Sequence, residues 1–326
     1  MSTVSGSAVP GPMGCIIDQA VKERFWSTLP YEGLMQAAPE LYQADDGKDW
    51  FLTDAEAAWV KMQKEAGNVI PWDLDSTGIY LLNHHQTTND CTSHGTSGAL
   101  EDLQMVDIMW RGVAEQFTLV ASEPLYGGAI VTIMHTRGDN GAYTSAPLDY
   151  ATKYGWLPRA KYGDIDLTKY SGARATAYSK SGVPATLLDT QKKQTLLLQV
   201  PIHNFEDASA LLRQGYSVVG GSNQGFSMTR DKDGFCKPQG RWAHCTRFRG
   251  RRLGKKPGLQ YGQSWGPGMP GGPSIVTLDD GRPLQLPEGG FFVDPDTFNS
   301  MVRQGEFYGL SKMSGLPVLD YKLWKD

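Results

Sequence analysis

Between Gly98 and Trp110 the chain reads GALEDLQMVDIMW, and this stretch restricts the fold more than any other. Leu100, Leu103, Met105, Val106, Ile108 and Met109 are apolar on too many sides for a surface helix, so the segment predicts a central helix with other layers packed around it. Cys91 falls near the N-terminus of that helix, within NDCTSHGTSGALED.

The pattern around this helix divides the chain. Residues 1–14 are small and rich in Pro and Gly, which reads as a flexible tail or docking arm, and DAEAAWVKMQKE (54–65) has helical spacing with Thr53 as its cap. Together, residues 1–69 read as an N-terminal extension, a tail followed by a helical lead-in. STGIYLLN (76–83) reads as a strand, and APLDYATKYG (146–155) and NFEDASALLRQG (204–215) read as helices, the latter with Asn204 as cap and Gly215 as its stop. Past that point short strands dominate: YSVVGG, WAHCTRFRG, SIVTL and GGFFV. Helices first and strands afterwards indicate an α+β fold in two lobes, helical over about 85–215 and β-rich over about 216–326, within one domain spanning 70–326. A chain of 326 residues is long enough for both lobes to share a substantial core.

A balance of 31 basic against 35 acidic residues gives no overall basic field, so nucleic acid is not an expected partner. The local run RFRGRRLGKK (247–256) reads as a solvated loop. Four cysteines without a C-x-x-C pair imply no disulfide framework. No secretion signal is legible and no run of about 18 apolar residues occurs, so no membrane span is expected. A cytoplasmic or particle-associated location follows as an expectation.

A thiol becomes a nucleophile when its pKa falls, and a helix N-terminus lowers it by placing partial positive charge beside the thiolate. Cys91 stands at such a place, with Thr92, Ser93, Gly95 and Ser97 leaving room for a substrate. A base must come from far along the chain. His244, in GRWAHCTRF, is the distinctive histidine, and YGQSWGPG follows it with Gln263, Ser264, Trp265 and Gly266.

The order of these pieces, Cys, then His, then amide-Ser-Trp-Gly, resembles the papain-like cysteine peptidases. HHQTTNDCTSHG stands where that family has Gln-Gly-x-Cys-Gly-Ser-Cys-Trp, and GDNGAY (138–143) is similar to its Gly-x-Asn-Gly-Gly-Tyr loop. WAHC stands for its His-Ala strand and QSWG for its Asn-Ser-Trp-Gly, so the resemblance covers about Ile70 to Phe292. It implies a papain-like two-lobed fold with a Cys-bearing central helix and a barrel-like β lobe. It also implies Cys91 as nucleophile, His244 as base, Gln263 orienting the imidazole and Trp265 shielding that hydrogen bond. Gln86, with the Cys91 backbone N–H, would hold the oxyanion, and Gly141 and Ala142 would form a wall for extended peptide substrate. GSNQGF (221–226) would be a loop lining the cleft.

The sequence departs from the pattern in three places. Gln263 is one methylene longer than Asn, Gln86 lies five rather than six residues before the cysteine, and Asp90 adds a negative charge next to it. Residues 1–69 lack the family's inhibitory propeptide pattern. His84, His85 and His94 with Asp90 do not have the spacing of a metal site, so no metal and no cofactor is expected. The implied activity is hydrolysis of a peptide or related amide, including a cell-wall amide, through an acyl-enzyme at Cys91. The alternative is a structural or binding protein on the same fold, such as a virus or phage particle component, with residues 1–69 as its contact with a larger assembly.

Overall fold

A computed structural model describes residues 11–29, 32–33, 46–70, 72–112, 116–196, 198–266 and 270–311. Helix α1 (Gln19–Trp26) is followed by strand β1 (Trp50–Phe51), helix α2 (Leu52–Glu65) and helix α3 (Cys91–Met109). The helical lobe continues with α4 (Ser122–Gly127), a π-helical turn over Gly128–Ile133, α5 (Ser145–Lys153), the hairpin β2 (Lys161–Tyr162) and β3 (Ile165–Asp166), α6 (Gly172–Ser181) and α7 (Ala185–Gln191). The second lobe comprises β4 (Leu198–Pro201), α8 (Phe205–Arg213), β5 (Ser217–Phe226), β6 (Pro238–Arg252), β7 (Gly258–Gly262), the hairpin β8 (Ile275–Thr277) and β9 (Pro283–Gln285), β10 (Phe291–Val293), α9 (Pro295–Gln304) and β11 (Glu306–Ser311).

Every residue of α3 from Cys91 to Asp107 is buried, as an all-round apolar helix requires. It packs against β5 and β6 on one side and against α2 and α4 on others. Local chemistry sets the boundaries of its neighbours. Asn204 accepts a hydrogen bond from Asp207 N (2.8 Å) to start α8, and Gly215, at φ +74°, takes the left-handed turn that ends this region. Thr53 lies inside α2 instead of capping it, because the helix begins directly from β1. STGIYLLN forms no strand; only Leu74 and Leu81 bridge, flanked by Asp75 N to Tyr80 O (2.8 Å) and Leu82 N to Asp73 O (2.9 Å), and the Leu81 N–H goes to Glu56 Oε1 (2.7 Å).

The β lobe is an open antiparallel sheet in the order β10-β7-β6-β5-β11-β4, with β1 added along β6. The barrel-like expectation is therefore corrected to a sheet that does not close. Helices α3, α8 and α9 cover β5 and β6, so the strands bury their apolar faces without curling onto themselves. The lead-in is part of the same core: Trp50 and Trp59 join Leu211, Phe248, Phe298 and Phe307 in the largest apolar cluster.

The arginine run is a second correction. Residues 247–252 are the end of β6, and Arg249, Arg251 and Arg252 are buried. Arg249 Nε meets Asp102 Oδ1 at 3.1 Å and its other nitrogen pairs with Glu56, while Arg247 lies 3.4 Å from Asp102 Oδ2 and 3.6 Å from Glu101 Oε2. A guanidinium presents five donors in a fork, which lets it bridge two carboxylates inside a core. Among the described residues no helix is long and apolar enough to cross a membrane.

Candidate functional site

Cys91 is the first residue of α3 and fully buried. The helix N-terminus alone would lower its pKa, yet burial pushes the thiol up to about 12. The nearby backbone of Cys245, Gly14 and Thr92 works against this, while Asp90 adds to it. Desolvation wins because the partial charge of a helix end is small compared with the loss of water around a thiolate.

The chain's own N-terminal segment lies over the site. Of the expected tail, residues 1–10 lie outside the described residues, but residues 11–16 cross the site as an extended strap. Gly14 O accepts from Ala142 N (2.8 Å) and Ile16 N donates to Ala142 O (2.9 Å), so Cys15 is bridged to Ala142; Cys15 N donates to Ala243 O (3.2 Å) on the other lobe. Pro12 O accepts from Gln86 Nε2 (2.9 Å) and from Trp265 Nε1 (3.0 Å). Gly14 is held so close to the Asn89 backbone that a Cβ there would collide with it. Gly141, at φ +85°, lets the wall approach Gly14 closely, and Tyr126 OH accepts its N–H (3.1 Å).

His244 lies on β6, one residue before Cys245. Strand alternation turns the two side chains to opposite sides. Cys245 faces Gly95 of α3, and the His244 ring stacks on Trp265 with centroids 3.9 Å apart. Burial lowers the imidazole to about 3, with His94 nearby acting in the same direction. Neither ring nitrogen of His244 has a hydrogen-bond partner, so neither Cys91 nor Gln263 is bonded to it in this structure. Gln263 Oε1 instead accepts from Trp265 N (2.8 Å), because the longer side chain folds back onto its own turn. Thiol and imidazole are thus both buried and neutral, and no thiolate–imidazolium pair forms.

Gln86 is held by Ser264 Oγ, which donates to its Oε1 (2.5 Å), and its own N–H meets Ser264 O (2.8 Å). Its amide nitrogen faces Pro12 O and Thr88 O, leaving it aimed at a bound peptide carbonyl. Asp90 Oδ1 accepts from Tyr170 OH (3.1 Å) and Oδ2 lies 3.4 Å from His94 Nε2. His84 Nε2 pairs with Glu101 at 3.0 Å, and His85 bridges Trp265. No group of three metal-ligating side chains gathers among the described residues. GSNQGF is the end of β5, and Asn223 and Gln224 line an open polar cavity of about 430 Å³ with Gly240, Arg241 and Gln304. The strap was the main feature missed from sequence. Its Pro and Gly residues read as flexibility, and only the lone Cys15 among them marked the segment as unusual for a tail.

The fold is that of the papain-like cysteine proteases. Xylellain, a cysteine protease from Xylella fastidiosa, matches with a TM-score of 0.59 at 13% identity, over 96% of this chain and 100% of its own. A digestive procathepsin L2 proteinase from the larval midgut of Tenebrio molitor matches with a TM-score of 0.51 at 10% identity, over 93% of this chain and 78% of its own. At such identities the likeness is one of fold. No family model matches the chain, and no curated protein sequence matches it significantly.

Proposed function

We propose that the protein is a thiol peptidase held closed by residues 11–16 of its own chain. One observation carries this reading: the site already binds an extended peptide, with Pro12 O on the Gln86 amide, Gly14 O on the Ala142 N–H and Cys15 paired across Ala142. A substrate peptide would take the same contacts once the strap leaves.

Strap departure returns water to Cys91 and His244. Their burial-driven pKa shifts then shrink, and passing a proton from thiol to imidazole becomes feasible. Cys91 attacks the scissile carbonyl, the Gln86 amide and the Cys91 N–H hold the developing oxyanion, and His244 returns the proton to the leaving amine. Trp265 keeps the imidazole in place by stacking. A binding protein on the same fold is the second reading, favoured by Gln263 being turned to Trp265 N instead of His244.

Hydrolysis of unstructured protein and short peptides by the full chain separates the two readings. Gly14→Val, which cannot fit against Asn89, should cleave at least about tenfold faster than wild type, equivalent to about 1.4 kcal/mol of strap affinity. Cys91→Ala should be inert. If wild type and Gly14→Val both match Cys91→Ala on every substrate, the binding reading replaces the enzyme.

A further inference from the structure

Asp90 stands at the cap position of α3, directly before Cys91, yet its side chain does not cap the helix. Ser93 N and His94 N donate to its backbone carbonyl (3.0 and 3.1 Å), and the carboxylate is turned to other side chains. Oδ1 accepts from Tyr170 OH (3.1 Å), and the same hydroxyl accepts from Thr87 N (3.1 Å). A hydroxyl whose proton is committed to a carboxylate keeps its lone pairs for an N–H. Asp90 thereby ties down the segment that carries Gln86. The tie has a cost at Cys91: burial is the main cause of its raised thiol, and the Asp90 charge adds to it. Departure of the strap would relieve the burial, whereas Asp90 is joined to Cys91 through the backbone and stays.

Asp90 Oδ2 is buried without a hydrogen-bond donor and lies 3.4 Å from His94 Nε2. The His94 ring is itself fully buried, and neither of its nitrogens has an aligned partner. Charge, rather than a directed hydrogen bond, therefore joins the two, and the pair has no net charge whichever partner holds the proton. The groups around it supply no substitute. Tyr170 and His84 pack edge-on against the His94 ring (centroids 4.7 and 5.4 Å), and His84 is engaged by Glu101. Arg247 lines the same small cavity as His94 but is turned to Glu101 and Asp102. Burial lowers His244, and His94 adds to this, so His244 brings no positive charge either.

We propose that His94 is a positioning residue that acts on Cys91 through Asp90: it cancels the carboxylate's charge, so that Asp90 can hold the Gln86 segment without opposing the thiolate. The inference rests on the peptidase reading above, which gives the thiolate its use. Asp90 and His94 are one turn of α3 apart, so the same helix that presents Cys91 also carries the compensation for its neighbour.

The test is the pH dependence of Cys91 alkylation by iodoacetamide in the full chain, read by peptide mass so that Cys15, Cys236 and Cys245 are counted separately. The sulfur displaces iodide at the methylene carbon, and the thiolate is the form that reacts. Strap opening sets the plateau of the rate, and the pH of half-plateau reads the thiol. His94→Gln keeps a polar side chain without charge and should move that pH up by about one unit, a loss of rate of about tenfold below it. Asp90→Asn should move it little, because the pair it breaks had no net charge. In Asp90→Asn/His94→Gln the effect of the histidine change should vanish. His94→Met fills the same space without charge and replaces the glutamine variant if that does not fold. A half-plateau pH unmoved by His94→Gln, or moved equally in the Asp90→Asn background, overturns the inference and leaves the peptidase reading standing, since Cys91 still reacts as a thiolate. Failure of Cys91 to react in any variant at any pH overturns both.

Discussion

Helix α3 and strand β6 meet along their length, and the two ends of that contact are built on opposite principles. At one end lie Cys91, Cys245 and His244, buried and neutral, with both nitrogens of His244 unpartnered. At the other end, Glu101 and Asp102 of the same helix face Arg247 and Arg249 of the same strand, joined by Glu56 and His84. Burial works to raise Glu101, but His84 and Arg247 overcome it and hold the carboxyl at about 2. Carboxylates and guanidiniums set against one another hold the far end together. The near end is left with unmet polar capacity, which a structure bears where a group must later do something else.

Breaking the paired end should have the largest effect. Arg249→Met removes the guanidinium that bridges Glu56 and Asp102, leaving Glu56 without its ion pair and Asp102 with Arg247 alone, and should cost about 3–5 kcal/mol, read from the urea unfolding midpoint. A loss below about 1 kcal/mol would mean that the network is not what joins the lobes.

Acid sharpens the contrast between the ends. His244 sits near 3 in the fold against an ordinary 6.5, so the unfolded chain takes up that proton first. Its contribution is complete above about pH 6.5 and drains away as the pH falls towards 3, amounting to about 2 kcal/mol lost between pH 7 and 5. His84, lowered by burial against the pull of Glu101, acts in the same direction. Glu101, near 2 against 4.5, loses its contribution only as the pH falls from about 4.5 towards 2. His244→Phe keeps a ring against Trp265 but cannot titrate. Stability measured from pH 7 to 5 should therefore fall less in this variant than in wild type, with the steeper loss below pH 4.5 retained. An unchanged slope above pH 5 would remove His244 from the account.

The smallest effect should come from Gln263→Ala, which removes the hydrogen bond to the Trp265 N–H, and that loss should cost about 1 kcal/mol in unfolding free energy. The rate of Cys91 alkylation should stay as in wild type, because in the closed state Gln263 does not act on His244.

The two ends also differ in how readable they were from sequence. The buried helix, the N-cap at Asn204 and the strands of the second lobe follow from periodicity and turn chemistry, which are local. The arginine run misled because charge statistics favour solvent, and only the opposing Glu101, Asp102 and Glu56, far away in sequence, turn it inward. The positions of Cys91 and Gln86 beside one bound peptide follow the order of motifs along the chain. Their state does not: burial raises the Cys91 thiol, Gly14 of the distant N-terminal segment lies beside it, and nothing in a Pro/Gly-rich stretch announces which groove it will occupy.

The alternation along β6 has a consequence for how faithfully the chain assembles. Cys245, Arg247 and Arg249 share the side facing α3, and the intervening His244, Thr246 and Phe248 share the other. A slip of one residue would exchange the two sets, driving guanidiniums into the aromatic cluster around Phe248 and leaving Glu101 and Asp102 without a guanidinium opposite them. Such a mispaired sheet would carry several uncompensated buried charges, so the arginines act as a proofreading key that admits only one alignment. The same alignment fixes on which side of the strand His244 emerges.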